Sequence, residues 1–221
     1  MKVIAHIESD FNTKFGVPRQ SGVIPELTAR IIFEPEYRVA EAFRGLEDFT
    51  HIWILWCFSE VARDEWNPTV RPPRLGGNVR MGVFATRSPF RPNPIGLSSV
   101  RLLKIDWDTP EGPVLYVSGA DLMNGTPIYD IKPYLPYTDS HPEASGGFTD
   151  NLNADELKIT IPPHLLEHIP ENKREALLHV LAADPRPSYQ KDNDRIYGME
   201  FCGLEIKFQV QNHILTVISV I

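Results

Sequence analysis

Three polar segments of this chain hold the residue types that could do chemistry: KFGVPRQSG (residues 14–22), ATRSPFRPNPIGLS (85–98) and DLMNGTPIYDIKPYLPY (121–137). In each, charged or amide side chains stand beside proline and glycine, which fix a loop's shape at low entropic cost and let backbone groups approach a ligand. One segment of this kind reads as a tight turn between strands. Three, each with an arginine or an aspartate at its centre, read as the walls of a shared pocket.

The middle segment lies inside a longer stretch with a strong charge bias. Between Trp66 and Ile105 stand seven basic residues, Arg71, Arg74, Arg80, Arg87, Arg91, Arg101 and Lys104, and no Asp or Glu. The formal net charge of the 221 residues is −7, so the rest of the chain sums to −14 around a +7 block. Such segregation reserves one surface for an anionic partner.

Other signals carry less chemistry. His164, Glu167 and His168 spell H-x-x-E-H, an inverted zinc-protease pattern. It follows Pro162-Pro163, is cut off by Pro170 and leaves few residues for a third ligand, so no metal is expected. Cys57 and Cys202 lie far apart in apolar surroundings and read as reduced core thiols of a cytoplasmic protein. The opening MKVIAHIESDF has no apolar run long enough for a signal sequence, and the longest apolar stretch, 52–58, has the length of a buried strand. No membrane association is expected.

The elements that must position these segments are short. Twenty prolines argue against long helices in most of the first 140 residues, because each removes a backbone donor and restricts its predecessor. Runs rich in β-branched and aromatic residues at 2–8, 28–34, 50–58, 81–86, 97–107 and 114–120 predict six strands joined by Pro/Gly-rich connections, hence an antiparallel barrel or sandwich. Val39, Ala42, Phe43 and Leu46 follow helical spacing and predict one interrupting helix, weakened at its far end by Gly45. His51 reads as a structural histidine in an apolar strand, and Trp53, Trp56 and Phe58 as barrel core.

From residue 138 the sequence becomes TDSHPEASGGFTDNLNADE, with the marks of a linker. The expected organisation is a barrel domain over 1–140, a linker over 141–156 and a small α+β C-terminal domain over 157–221. The last part holds a helix over 171–183, with Ala176, Leu177, Val180 and Leu181 on one face, and a closing hairpin turning near Gln211-Asn212.

The three segments, together with RGLEDFTHIWIL (44–55) and RPPRLGGNVRMGVFATRSPFRPNPIG (71–96), resemble the YaeB/TrmO-like family of tRNA methyltransferases. The resemblance is dense over 1–140, and DPRPSYQ (184–190) with RIYG (195–198) carries it into the C-terminal part. Members of that family transfer a methyl group from S-adenosylmethionine to N6 of the threonylcarbamoyl-adenosine beside the anticodon. The resemblance implies a mainly β fold, a single-sheeted β-barrel followed by the small α+β domain, acting as a homodimer with the cofactor near the subunit interface. No strand here runs into a G-x-G-x-x-G turn and helix, which agrees with a cofactor site of another kind than the usual nucleotide-binding one.

Carried over position by position, the resemblance implies a cofactor site made of Pro18, Arg19, Gln20, Ser59, Glu60, Arg87, Leu97, Asn124, Gly125, Thr126 and Pro127. Arginine suits a carboxylate or ribose, and backbone groups of the PRQ and GTP turns suit an adenine edge. Ser59 replaces a His of some relatives, and Asn124 stands where an Asp is common, removing a negative charge near the sulfonium. Arg71, Arg74, Arg91 and Lys132 are the expected contacts to the tRNA anticodon loop, an unstacked single-stranded target. Asp130 and Tyr134 are the candidates for taking the N6 proton, although Asp130 reads equally well as a salt-bridge partner of Lys132. A barrel that keeps RNA binding and dimerisation without catalysis is the competing class; the intact pocket motifs argue against it. Residues 1–140 alone are expected to bind the cofactor.

Overall fold

A computed structural model describes residues 1–61, 66–150, 156–186 and 192–221, without the side chains of Val61 and Arg74. Strands β1 (Ala5–Glu8), β2 (Thr28–Phe33), β3 (His51–Cys57), β4 (Thr69–Val70), β5 (Met81–Gly82), β6 (Ile95–Asp106), β7 (Val114–Ser118) and β8 (Pro127–Pro133) make up the first part. Six of them close a barrel in the order β1-β2-β7-β6-β3-β8, every pair antiparallel, with β8 returning to β1 through Ala5↔Ile128. Closure leaves no strand edge exposed. Period-two alternation builds the interior: Ile52, Ile54 and Trp56 of β3 point inward with Ile7, Ile31, Val100, Val117 and Ile128, while His51, Trp53 and Leu55 point outward.

Two expected elements differ. Residues 39–46 form no α-helix: 3₁₀ turns at Pro35–Tyr37, Ala40–Phe43 and Leu46–Asp48 replace it, because Gly45 takes the left-handed conformation (φ 85°) and breaks the run after one turn. The run 81–86 gives only β5, which pairs with β4 in a side hairpin, and then a 3₁₀ turn over Val83–Ala85. The sixth barrel strand is β8, from the third polar segment. Its two prolines sit at its ends, so the residues between them keep their donors for the ladder.

The C-terminal part follows a short helix α1 (Pro136–Asp139). It holds β9 (Lys158–Thr160), α2 (Pro163–Leu166), α3 (Glu171–Ala182), β10 (Ile196–Phe201), β11 (Leu204–Gln211) and β12 (Ile214–Val220). The sheet order is β10-β11-β12-β9, with β9 parallel to β12, and the β11–β12 turn places Asn212 and His213 at positive φ (49° and 66°), as a tight hairpin requires. Leu177 and Leu181 of α3 pack on Phe201, Phe208 and Leu215 in a second core. That core also takes in Phe11, Ile24 and Leu27 from the β1–β2 connection, so the first part supplies apolar side chains to the second. Among the described residues no helix is long and apolar enough to cross a membrane.

Candidate functional site

Register fixes where the polar segments meet. Strands β1, β3 and β7 end at one rim of the barrel, and β2, β6 and β8 begin there, as the pairs Glu8↔Arg30, Thr28↔Ser118, Cys57↔Ile95 and Trp56↔Ile128 show. The connections 9–27, 58–94 and 119–126 therefore gather at a single mouth. These connections carry Pro18, Arg19, Gln20, Ser59, Glu60, Arg87, Asn124, Gly125 and Thr126, and Pro127 opens β8 at the same rim.

Cross-connections hold the mouth in shape. Arg87 Nη1 donates to Gln20 Oε1, tying the second connection to the first. Gly22 N–H donates to the Gly119 carbonyl and Gly119 N–H to that of Leu27, both at 2.8 Å. A side chain on Gly119 (φ 76°) would press on the Gly22 backbone, so this close approach requires glycine. The Asn124 amide N–H reaches the Phe11 carbonyl at 2.7 Å, and its side-chain Nδ2 donates to Asn12 Oδ1 at 3.0 Å. A carboxylate at position 124 could not make that donation. Thr126 is buried and donates to the Met123 carbonyl at 2.7 Å.

At the base of the mouth lies a chain of hydrogen bonds that sequence reasoning missed. Trp56 Nε1 donates to Ser98 Oγ at 3.0 Å, and Ser98 Oγ donates to Asp121 Oδ1 at 2.5 Å. Ser98 is 1% exposed. Burial pushes the Asp121 carboxyl above the usual carboxylate range; the Ser98 hydrogen bond, its own amide, the Arg87 charge and the Ser21 amide pull the other way without cancelling the rise. The available signal was a polar residue, Ser98, at an inward-facing position of a strand.

Other candidates lie elsewhere. Leu97, 55% exposed, stands on the outer wall, opposite Leu55 of β3, whose other neighbour is Asp130 of β8. Asp130 pairs with Lys132 at 3.0 Å on that wall and accepts the Ile131 amide, so within one chain it is a paired surface group outside the mouth. Tyr134 sits at the opposite rim, where its N–H reaches the His51 carbonyl and its ring packs on Trp53 at 5.5 Å. His51 is exposed and bonds to Thr50 Oγ1, and Trp53 faces outward with Nε1 on Asp139 at 2.8 Å; of the three aromatics expected in the core, Trp56 is buried and Phe58 packs against it. Cys57 and Cys202 are free and half-buried.

In the basic block, Arg71 and Arg80 are exposed and form no ion pair among the described residues, while the Arg74 side chain lies outside them. The Arg91 guanidinium reaches the Thr86 and Ser88 carbonyls at 3.1 and 3.4 Å and lies 6.0 Å from the Phe84 ring centre. Phe84 (72% exposed) stacks on Trp66 (48% exposed), centroids 6.1 Å apart. In the H-x-x-E-H segment, His168 Nδ1 bonds to the Val220 carbonyl at 3.2 Å, tying the turn after α2 to β12; among the described residues no three His, Cys, Asp or Glu side chains are placed to hold a metal.

Comparison with known proteins agrees with this architecture. The family model described as tRNA-methyltransferase O N-terminal domain matches residues 6–140, and that of the TrmO C-terminal domain matches 156–221. A tRNA (adenine(37)-N6)-methyltransferase from Escherichia coli is 43% identical over 215 residues, covering 94% of this chain and 91% of the relative. A putative S-adenosylmethionine-dependent methyltransferase from Pseudomonas aeruginosa is 38% identical, covering 92% and 89%. The crystal structure of TrmO from Pseudomonas aeruginosa superposes with a TM-score of 0.78 at 31% identity, covering 100% of this chain and 96% of that one. With both of its parts matched and its barrel shared, the chain belongs to the tRNA-methyltransferase O family.

Proposed function

We propose that this protein methylates N6 of adenosine 37 in tRNA with S-adenosylmethionine as donor, and that the adenosine carries a threonylcarbamoyl group. The observation that carries this reading is the meeting of three polar connections at one mouth, with Arg87 joined to Gln20 there and the basic block beside it. The residues fit the cofactor. Arg87 offers a charged donor to its carboxylate, Pro18, Arg19 and Gln20 offer a turn of polar groups, and Gly125 (φ 75°) has open space where a side chain would stand. When bound, the cofactor supplies a methyl group on a positive sulfur. The chain's own part is to hold the substrate nitrogen in line with that methyl and to exclude misaligned poses.

The N6 nitrogen takes the methyl and gives up its proton. Carbamoylation makes that N–H more acidic than in adenine, so a weakly basic group suffices. Asp130 is the proposed acceptor, reached through a homodimer. The outer wall carrying Leu55, Leu97 and Asp130 is apolar enough to be covered by a second copy, whose mouth would then meet Asp130. Tyr134, at the far rim, is left without a role in proton transfer.

Arg71, Arg80, Arg91 and the Trp66–Phe84 stack suit the anticodon loop, offering charge to phosphates and ring faces to unstacked bases. The proposed location is the cytoplasm, and no metal is assigned a part. Nucleoside mass spectrometry tests the reading. tRNA bearing threonylcarbamoyl-adenosine, incubated with protein and cofactor, should yield that nucleoside one methyl heavier, and tRNA lacking the modification should yield none. Equal methylation of both would overturn the substrate assignment, and methylation of neither would overturn the activity.

A further inference from the structure

Just past the end of α3 stands an aspartate whose side chain does more than close the helix. Asp184 takes the left-handed conformation (φ 51°) and its N–H reaches the Leu181 carbonyl at 3.2 Å, a place where glycine is the usual choice. Its carboxylate grips Arg186: Oδ1 accepts from Nε at 2.8 Å and from the Arg186 amide at 3.3 Å, and Oδ2 accepts from Nη2 at 2.9 Å. Pro185 between them has a fixed φ, so the corner is stiff. The Arg186 side chain is 11% exposed, and a desolvated ion pair of this kind is weak as a source of stability. What the corner does hold is the proposed cofactor turn. The Arg186 carbonyl accepts from Arg19 Nη2 at 3.2 Å. The Arg186 guanidinium lies 5.9 Å from the Tyr197 ring centre, and that of Arg195 lies 5.3 Å from it. Tyr197 stacks on Phe208 at 5.7 Å, and Phe208 on Phe15 at 6.5 Å. Arg186 is therefore linked to segment 15–19 at both ends, by a hydrogen bond at Arg19 and through stacked rings at Phe15. The motifs DPRPSYQ and RIYG meet here, although residues 187–190 of the first lie outside the described residues.

We propose that Asp184 and Arg186 are positioning residues: they fix the Arg186 carbonyl, which holds the Arg19 guanidinium and with it the turn 18–20 in the shape that receives S-adenosylmethionine. An arginine head swings on a flexible stem, and anchoring it before the ligand arrives removes an entropic cost from binding. Both residues act through Arg19 and make no contact with the reacting atoms. The cofactor named here rests on the proposed function, whereas the hold on Arg19 does not.

Two variants of the full chain break the corner. Asp184→Asn keeps a side chain suited to the left-handed conformation but loses the grip of both oxygens, and Arg186→Lys keeps the charge but loses the fork. A ligand-free arm uses trypsin on the native protein, because cleavage after Arg19 requires that side chain to leave the Arg186 carbonyl and enter the protease. The Arg19–Gln20 bond should be cut about 10-fold faster in both variants, read by mass spectrometry of the fragment ending at Arg19, with the melting temperature unchanged. Unchanged cleavage in both would overturn the hold on Arg19, whatever the cofactor. Cleavage accelerated equally at every site, with a lowered melting temperature, would also overturn it and leave the corner a purely structural part. In the ligand arm, the KM for S-adenosylmethionine at saturating tRNA should rise about 10-fold in each variant, with kcat and tRNA affinity close to wild type. In the Arg19→Ala background, Asp184→Asn should have almost no further effect. Additive effects, or a loss confined to tRNA affinity, would overturn the link to the cofactor turn. Faster cleavage after Arg19 in the variants, together with no cofactor binding by the wild type, would support the hold on Arg19 and reject the proposed cofactor.

Discussion

Gly16 lies against Met199: a side chain on Gly16, whose φ is 96°, would overlap the Met199 sulfur. The contact joins the connection that carries Pro18–Gln20 to strand β10 of the C-terminal sheet. It is one of several. Phe11 packs edge-on against Phe201 at 5.5 Å, Phe15 stacks with Phe208 at 6.5 Å, Lys173 pairs with Asp10 at 2.6 Å, and Arg19 donates to the Arg186 carbonyl at 3.2 Å. The proposed cofactor turn is thus built between barrel and C-terminal sheet. This argues against residues 1–140 sufficing for cofactor binding, because that fragment would expose Phe11, Ile24 and Leu27 and lose the surface against which the turn packs. The fragment should bind S-adenosylmethionine at least about 10-fold more weakly than the whole chain. Gly16→Ala, combining overlap with a strained backbone, should cost about 2 kcal/mol of stability in chemical denaturation.

A further bridge between the parts pairs a carboxylate with an imidazole. His179 Nδ1 of α3 lies 2.8 Å from Glu26 Oε2, and this close contact holds the Glu26 carboxyl below its usual range despite an opposing desolvation effect. A depressed carboxylate pKa contributes stability that is present above the unfolded value and is lost as pH falls through the folded one. Glu26→Gln should therefore lower stability at neutral pH and flatten the acid side of the stability curve. The loss should stay under about 1 kcal/mol, since His179 is half exposed and water screens the pair. Denaturant titrations from neutral to acidic pH would measure both effects.

Charge and stacking at the basic block should separate experimentally. If Arg71 and Arg80 meet phosphates, replacing both with Ala should flatten the slope of log K against log[salt] by roughly one to two, at about 0.7 per single-stranded contact. Phe84→Ala should instead weaken binding of an anticodon stem-loop roughly 10-fold and leave the slope alone, because stacking releases no counterions. Filter-binding or fluorescence titrations over a salt series would distinguish them.

Asp130→Asn separates a proton acceptor from a structural ion pair. As acceptor across a dimer, its loss should reduce single-turnover methylation by roughly 100-fold with cofactor and tRNA affinities close to wild type. An exposed pair with Lys132 contributes little to stability, so the melting temperature should scarcely move. Near-normal turnover would mean that the N6 proton leaves to water.

The barrel was largely legible because its strands alternate cleanly, as in Ile52, Ile54 and Trp56, and because their connections are rich in proline and glycine. What misled was local. Pro127 and Pro133 made β8 look like a loop, although prolines at strand ends cost nothing, and the apolar run at 81–86 lacked the length to enter the barrel. The mouth was legible as a set of segments, but not its internal wiring. The Ser98–Asp121 bond spans 23 positions of sequence, and no local pattern fixes which carboxylate faces a buried serine. The face taken by Asp130 depends on a β-bulge between Leu55 and Trp56, which leaves Tyr129 as the extra residue and turns Asp130 outward. Such a bulge is set by register across three strands, out of reach of periodicity. The packing of 9–27 into the second core was hidden for the same reason: its apolar residues Phe11, Ile24 and Leu27 are too widely spaced to declare a partner.

The central claim is that the loop mouth, with Arg87 at its centre, is the S-adenosylmethionine site. Calorimetric titration of the cofactor into wild type and Arg87→Ala tests it most directly. A charged hydrogen-bond donor to a carboxylate should be worth about 10-fold or more in affinity, so the variant should bind correspondingly more weakly while keeping its fold by circular dichroism. Equal affinity in the two proteins would contradict the account and move the cofactor away from the mouth.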